Sequence, residues 1–289
     1  MGTPGQRGSA TLSNRMSLKC SISGKQSRKQ KRHKTVPELP DWVVFHVPHD
    51  SNHIPDSIRT QFSLDDDQLA QELLLMTDHF TLKIFCENTS PQNIVRASVS
   101  RLVVDVERFL PDEAEPMSAK GMGAIYTQTA NGRPLRRQLS LPERQMLLES
   151  YYAPHHQRLE RLVDEKINMF GQCLVIDCHS FPSVPLPYEG ARDDAIRPDI
   201  CIGTDPFHTP SQLASNLIGH FSNSGFTVAL NDPFSGALVP MSRYRKDLRV
   251  QAIMVEVNRK LYMDETTGEA TGSMPEIIKT VRDNIRRCL

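Results

Sequence analysis

From Asp41 to the C-terminus, short runs rich in Val and Ile alternate with longer stretches of helical periodicity, and this alternation restricts the fold more than any other feature. Strands are expected at WVVFHV (42–47), NIVRASV (93–99), RLVVDVER (101–108), CLVID (173–177), DICIGTD (199–205), FTVALND (226–232) and within RVQAIMVEVNRKLY (249–262). Helices are expected over 64–88, where Leu69, Leu73, Met76, Phe80 and Ile84 recur at helical spacing, and over 141–170, with an interruption at Pro154. Two more are expected over 211–225, closed by Gly225, and over 273–289, where basic residues in the last turns suit the helix dipole. The pattern specifies one α/β domain, 41–289, with a mostly parallel central mixed sheet flanked by helices. No internal repeat is visible.

In such sheets ligands bind beyond the carboxyl ends of the strands, so the polar residues there carry the functional information. His49 and Asp50 follow the first strand, with His53 close behind. Glu107 and Arg108 close RLVVDVER, and Asp177 and His179 interrupt the apolar run CLVI. Asn231 and Asp232 follow FTVAL. Glu256 lies inside IMVEV, where an unpaired acid would cost several kcal/mol, so it needs a partner or a metal.

Charge divides the chain. The 34 basic and 34 acidic side chains cancel, yet residues 1–40 hold nine Lys and Arg against one acid, Glu38. That segment is poor in apolar residues and reads as a disordered basic tail, able at most to touch nucleic acid or an anionic surface. The six cysteines form no CxxC pair, which favours reduced thiols in a cytoplasmic protein. No apolar run reaches the length of a membrane span.

Two neutral imidazoles and a carboxylate suit zinc and leave a position open for water; iron(II) or manganese would accept the same set. His49 and His179 are the natural imidazoles. The carboxylate is expected from Asp78 in MTDHF, with Asp50 and His79 as rivals. Such a site suits hydrolysis of an amide or ester, and a separate carboxylate, for which Glu256 fits, must carry the proton to the leaving nitrogen. Arginines at strand ends can grip a substrate carboxylate with two parallel bonds.

The chain resembles the N-formylglutamate amidohydrolase family, a branch of the zinc carboxypeptidase-like hydrolases that includes the aspartoacylases. The resemblance rests on VPHDSNHIP (47–55), TDHF (77–80), SRLVVDVERF (100–109), GMGAIYT (121–127), NGRPLRR (131–137), YYAPHH (151–156), DCHS (177–180), RPDICIGTD (197–205) and VQAIMVEVNRKLYMDE (250–265), in that order. It implies the fold of that branch and cleavage of an N-formyl or N-acyl amino acid, with His49, His179 and Asp78 holding zinc. It further implies that Glu256 is the general base and that Arg101 polarises the scissile carbonyl. Arg108 would hold the substrate carboxylate, with the strand-end Asn231 and His156 of YYAPHH completing the substrate contacts. Asn52 stands where aspartoacylases place a ligand Glu. Two departures bear on substrate. Glu107 replaces the usual Asn beside Arg108, where it is expected to repel an anionic group or to pair with Arg108, and Pro154-His155-His156 replaces Pro-Tyr-His. The competing reading is a binding or regulatory protein on the same fold.

Overall fold

The computed structural model describes Met1, residues 38–190 and residues 196–289. Val36–Leu289 make up one compact unit, and the basic tail read over 1–40 lies almost wholly outside the described residues. Six strands form one sheet: β1 (Val43–Val47), β2 (Ile94–Arg96), β3 (Cys173–Phe181), β4 (Ile200–Gly203), β5 (Val228–Leu230) and β6 (Val250–Asn258), in the order β2-β1-β3-β6-β4-β5. β2, β1, β3 and β6 are mutually parallel, β4 runs antiparallel to β6, and β5 is parallel to β4. The sheet is therefore mostly parallel and mixed, as the pattern requires.

Seven α-helices accompany it among the described residues: α1 (Asp56–Arg59), α2 (Asp66–Met76), α3 (Thr81–Cys86), α4 (Leu141–Leu147), α5 (Ala153–Phe170), α6 (Ser211–Asn223) and α7 (Met274–Cys288). Side chains alternate across a strand. One set, including Phe45, Leu174, Ile176, Cys178, Ile253 and Val255, packs on α3, α6 and α7. The other set, including Val44, Cys173, Val175, Val250 and Ala252, meets Leu159, Val163 and Ile167 of α5. Continuing that second set along the same strands brings up His46, Asp177, His179 and Glu256. The α5 face is thus aliphatic at one end and chemical at the other. No described helix is long and apolar enough to cross a membrane.

Three elements differ from expectation. RLVVDVER is not a strand but a buried irregular segment within 99–140, which has its own core of Leu102, Val103, Met122, Tyr126 and Leu135. Four of its eight residues are charged, and a central strand offers such groups no partners. Here the carbonyls of Leu102 and Val103 accept from Arg136 instead. The helix expected over 64–88 breaks between α2 and α3, where Phe80 takes a left-handed φ of 65°. That break turns Asp78 inward, its N–H bonded to His49 O at 2.9 Å. The 141–170 helix is not interrupted at Pro154: a π turn, Leu148–Tyr152, joins α4 to α5 and absorbs the proline in the first turn of α5.

Candidate active site

His49 follows β1 and His179 lies on β3, and their rings stand 5.2 Å apart. Each gives one nitrogen to a buried carboxylate. His49 Nε2 donates to Asp105 at 2.8 Å, and His179 Nδ1 donates to Asp78 Oδ2 at 3.0 Å. Asp78 is itself held by Arg259 at 2.9 Å. The remaining nitrogens face Glu107, with His179 Nε2 3.1 Å from Oε1 and His49 Nδ1 3.6 Å from Oε2. His49 Nδ1 is buried and has no hydrogen-bond partner among the described residues. One donor atom from each of His49, Glu107 and His179 lies within 4.8 Å of the others, a group able to hold a metal ion. Carboxylates on the far nitrogens are what orient histidine ligands and fix their tautomers. The donor set therefore fits a divalent cation.

Asp78, expected as the third ligand, is not in this group; its Oδ2 lies 3.0 Å from His179 Nδ1 and 3.7 Å from His49 Nδ1, while Glu107 supplies the converging oxygen. Of the two expectations for Glu107, pairing with Arg108 is not what the structure has: its carboxylate turns to the histidines. Arg108 instead lies 3.4 Å from both Asp105 and the Tyr126 hydroxyl. Arg101 is held more firmly, by Asp105 at 2.9 Å and Tyr126 at 3.2 Å.

The electrostatics are those of a site short of positive charge. Burial opposes protonation of His179, but Glu107 and Asp177 outweigh it and raise its pKa well above the ordinary histidine value. Burial alone would raise the Asp78 carboxyl, yet the bond from His179 and the charges of His49 and Arg259 beside it hold it well below the usual range. Glu256 sits opposite His179 in the β3–β6 register, on the same face. Its carboxylate makes no hydrogen bond among the described residues, and burial pushes its pKa up to about 8.

Residues 42–263 match the family model described as N-formylglutamate amidohydrolase, which spans most of the chain and the whole of this site. The chain belongs to that family. Its members are amide hydrolases. The N-formylglutamate deformylase of Pseudomonas putida is 27% identical over 239 residues, covering 78% of this chain and 82% of that protein. Two solved structures share the fold. The N-formylglutamate amidohydrolase of Ralstonia eutropha JMP134 superposes with a TM-score of 0.75 at 20% identity, covering 88% of this chain and 98% of that one. A gene product of Agrobacterium tumefaciens gives 0.62 at 22% identity, covering 86% and 90%.

In this N-formylglutamate amidohydrolase family member the two further expected substrate residues are placed differently, Asn231 away from the histidines and His156 beside the 105–108 segment. Asn231 follows β5, three strands from β3 and so about 14 Å away at ordinary strand spacing. Its side chain is spent on Thr204, accepting from the N–H at 2.8 Å and donating to the hydroxyl at 2.9 Å. Asn231→Gly, which keeps the positive φ, is expected to leave kcat/KM unchanged. A tenfold fall, about 1.4 kcal/mol of transition-state binding, would return Asn231 to the substrate. His156 donates to Val106 O at 2.8 Å and stacks on Tyr152, so it braces the 105–108 segment. Four other residues of the site escape a reading by strand ends: Asp105, His46, His155 and Arg259. An imidazole inside the aliphatic strand at 46 is a signal of the same kind as Glu256.

Proposed function

We propose that this chain hydrolyses the amide bond of an N-formyl or closely related N-acyl amino acid, N-formylglutamate in the first instance, as a zinc-dependent amidohydrolase. The observation that carries the reading is the convergence of His49 Nδ1, His179 Nε2 and the Glu107 carboxylate beside the unbonded, buried Glu256. A divalent ion held there supplies Lewis acidity toward water and toward a carbonyl oxygen.

The chain's own residues supply the rest. Glu256, whose pKa a cation held beside it would bring back down, takes a proton from the attacking water and delivers it to the departing amine nitrogen, which a carboxylate free of other hydrogen bonds is poised to do. Arg101, fixed by Asp105 and Tyr126, presents its charge to the oxygen of the scissile carbonyl. Arg108 is held only at 3.4 Å by its two neighbours and keeps capacity for a substrate carboxylate. With Glu107 committed to the histidines, no acid among the described residues pairs with that arginine except Asp105, which it shares with Arg101. The substitution that set this chain apart in sequence is compatible with an anionic substrate.

The test is release of formate and free amine from N-formylglutamate by zinc-loaded protein, by protein stripped with a chelator, and after zinc is restored. Turnover is expected only in the first and third. Turnover by stripped protein with no residual metal would sink the reading, and turnover confined to other N-acyl amino acids would move the substrate while keeping the chemistry.

A further inference from the structure

Glu107 stands between two histidines at the end of β1. Its Oε2 lies 3.6 Å from His49 Nδ1, and its Oε1 lies 3.6 Å from His46 Nδ1. The same His46 nitrogen lies 2.7 Å from Asp177 Oδ1. His46, Glu107 and Asp177 thus make a second group of donor atoms within 4.8 Å of one another, and it shares Glu107 with the first. His179 Nε2 stands at the boundary of the two groups, 3.1 Å from Glu107 Oε1 and 3.1 Å from Asp177 Oδ1.

We propose that His46, Asp177 and Glu107 form a second divalent-cation site, so that Glu107 bridges a pair of zinc ions with one oxygen on each. The inference rests on the metal reading of the first site under Proposed function and adds a second ion to it.

Its first support is where fixed positive charge lies. Asp78 has Arg259 as counter-ion, and Asp105 has Arg101 and Arg108. Glu107 and Asp177, by contrast, pair with histidines alone among the described residues. Asp177 is buried and Glu107 mostly so. Two neighbouring carboxylates withdrawn from water without an arginine or lysine burden the fold, and a cation between them relieves it. The second support is bracing. His155 Nε2 lies 2.8 Å from His46 Nε2, on the far side of the ring, and Asp177 Oδ2 accepts from Leu238 N–H at 2.9 Å. The near nitrogen and the near oxygen are left turned toward Glu107, the arrangement by which outer partners orient metal ligands. Spacing agrees. Zinc bonds of about 2.0–2.2 Å set neighbouring ligand atoms about 3.0–3.5 Å apart. The 3.6 Å between His46 and Glu107 is close to that, and the 2.7 Å between His46 and Asp177 opens by about half an ångström. An amide at 107 would offer one oxygen, whereas a carboxylate offers the two that bridging takes. Paired ions about 3.5–4 Å apart hold the attacking and the leaving groups of a displacement from both sides.

The experiment counts zinc. Stripped, tag-free, full-length protein is dialysed to equilibrium against excess zinc, and bound zinc per chain is measured by mass spectrometry for the parent, His46→Phe, Asp177→Asn and Glu107→Gln. Cooperative melting of each variant is checked first, and Asp177→Asn, which keeps the side-chain volume, carries the test if His46→Phe does not fold. The parent is expected to hold two zinc ions per chain, and His46→Phe and Asp177→Asn one. Glu107→Gln, which takes a ligand from both groups, is expected to hold one at most. Cobalt(II) replaces zinc in a second measurement. Coupling through the shared carboxylate is expected to reduce the electron paramagnetic resonance signal per ion in the parent relative to His46→Phe or Asp177→Asn. One zinc in the parent overturns the second site and leaves the first standing, whereas none overturns both. Two zinc ions in the parent and still two in the folded His46→Phe and Asp177→Asn variants mean an adventitious ion only, and overturn the proposal. An undiminished cobalt signal in the doubly loaded parent overturns the Glu107 bridge.

Discussion

Glu256→Gln is expected to lower kcat by about 10²- to 10⁴-fold, the usual range for a general acid–base group, with zinc content unchanged. Gln fills the same space on β6 but cannot accept and return a proton. The same change should raise the stability of the metal-free chain at alkaline pH. The folded Glu256 carboxyl titrates at about 8 against 4.5 for a free one, because burial disfavours its charge. A carboxyl raised in this way contributes stability that is fully present below pH 4.5 and is lost as pH rises toward 8. Gln never ionises, so the variant escapes that loss. Stripped Glu256→Gln should therefore melt with the parent near pH 4 and above it near pH 8, a gain in stability bought by a loss of function. Undiminished kcat would remove Glu256 from the chemistry. A variant that melts below the parent at both pH values would show that the buried carboxylate is stabilised by contacts Gln cannot reproduce.

Asp105→Ala should be the most damaging single change to the fold around the site. Asp105 is fully buried and receives His49, Arg101, the Tyr126 hydroxyl at 2.6 Å and the Glu107 N–H at 3.0 Å, with Arg108 at 3.4 Å. Burial works against its charge, but His49, Arg101 and Arg108 overcome it and hold the carboxyl well below the ordinary range. Removing the acid leaves two guanidinium groups facing each other without a counter-ion, and breaking a buried ionic pair costs about 3–5 kcal/mol. Urea denaturation of the metal-free protein is the measurement. Asp105→Asn, which keeps a hydrogen-bond acceptor, should fall between Ala and the parent. A loss below about 1 kcal/mol in the Ala variant, the worth of an exposed pair, would mean that water replaces the carboxylate.

The features legible in the sequence are those set by local interactions. His49, His179 and Glu256 stand out because each interrupts an aliphatic run, and strands bury such runs. The mixed sheet was readable for the same reason. Glu107 is visible in the sequence beside Arg108, but nothing local shows that its oxygens face histidines 58 and 72 residues away along the chain. Asp78 was visible too, but whether it ligates or steers depends on which nitrogen of His179 it meets, and no spacing encodes that. Asp105 hides inside RLVVDVER, whose apolar half imitates a strand while its charged half is satisfied only by tertiary partners. The π turn is harder still, since nothing in LESYYAPHH distinguishes a widened turn from a kink at Pro154.

The alternation of side chains on β3 has a consequence for how such a protein changes over generations. On one strand, Leu174, Ile176 and Cys178 serve the α3–α6–α7 core while Asp177 and His179 face the candidate site. Neighbouring codons thus answer to separate selective pressures. Substitutions at 177 or 179 can retune or abolish the chemistry with the central layer intact, and drift among aliphatic residues at 174 or 176 can proceed behind an untouched site.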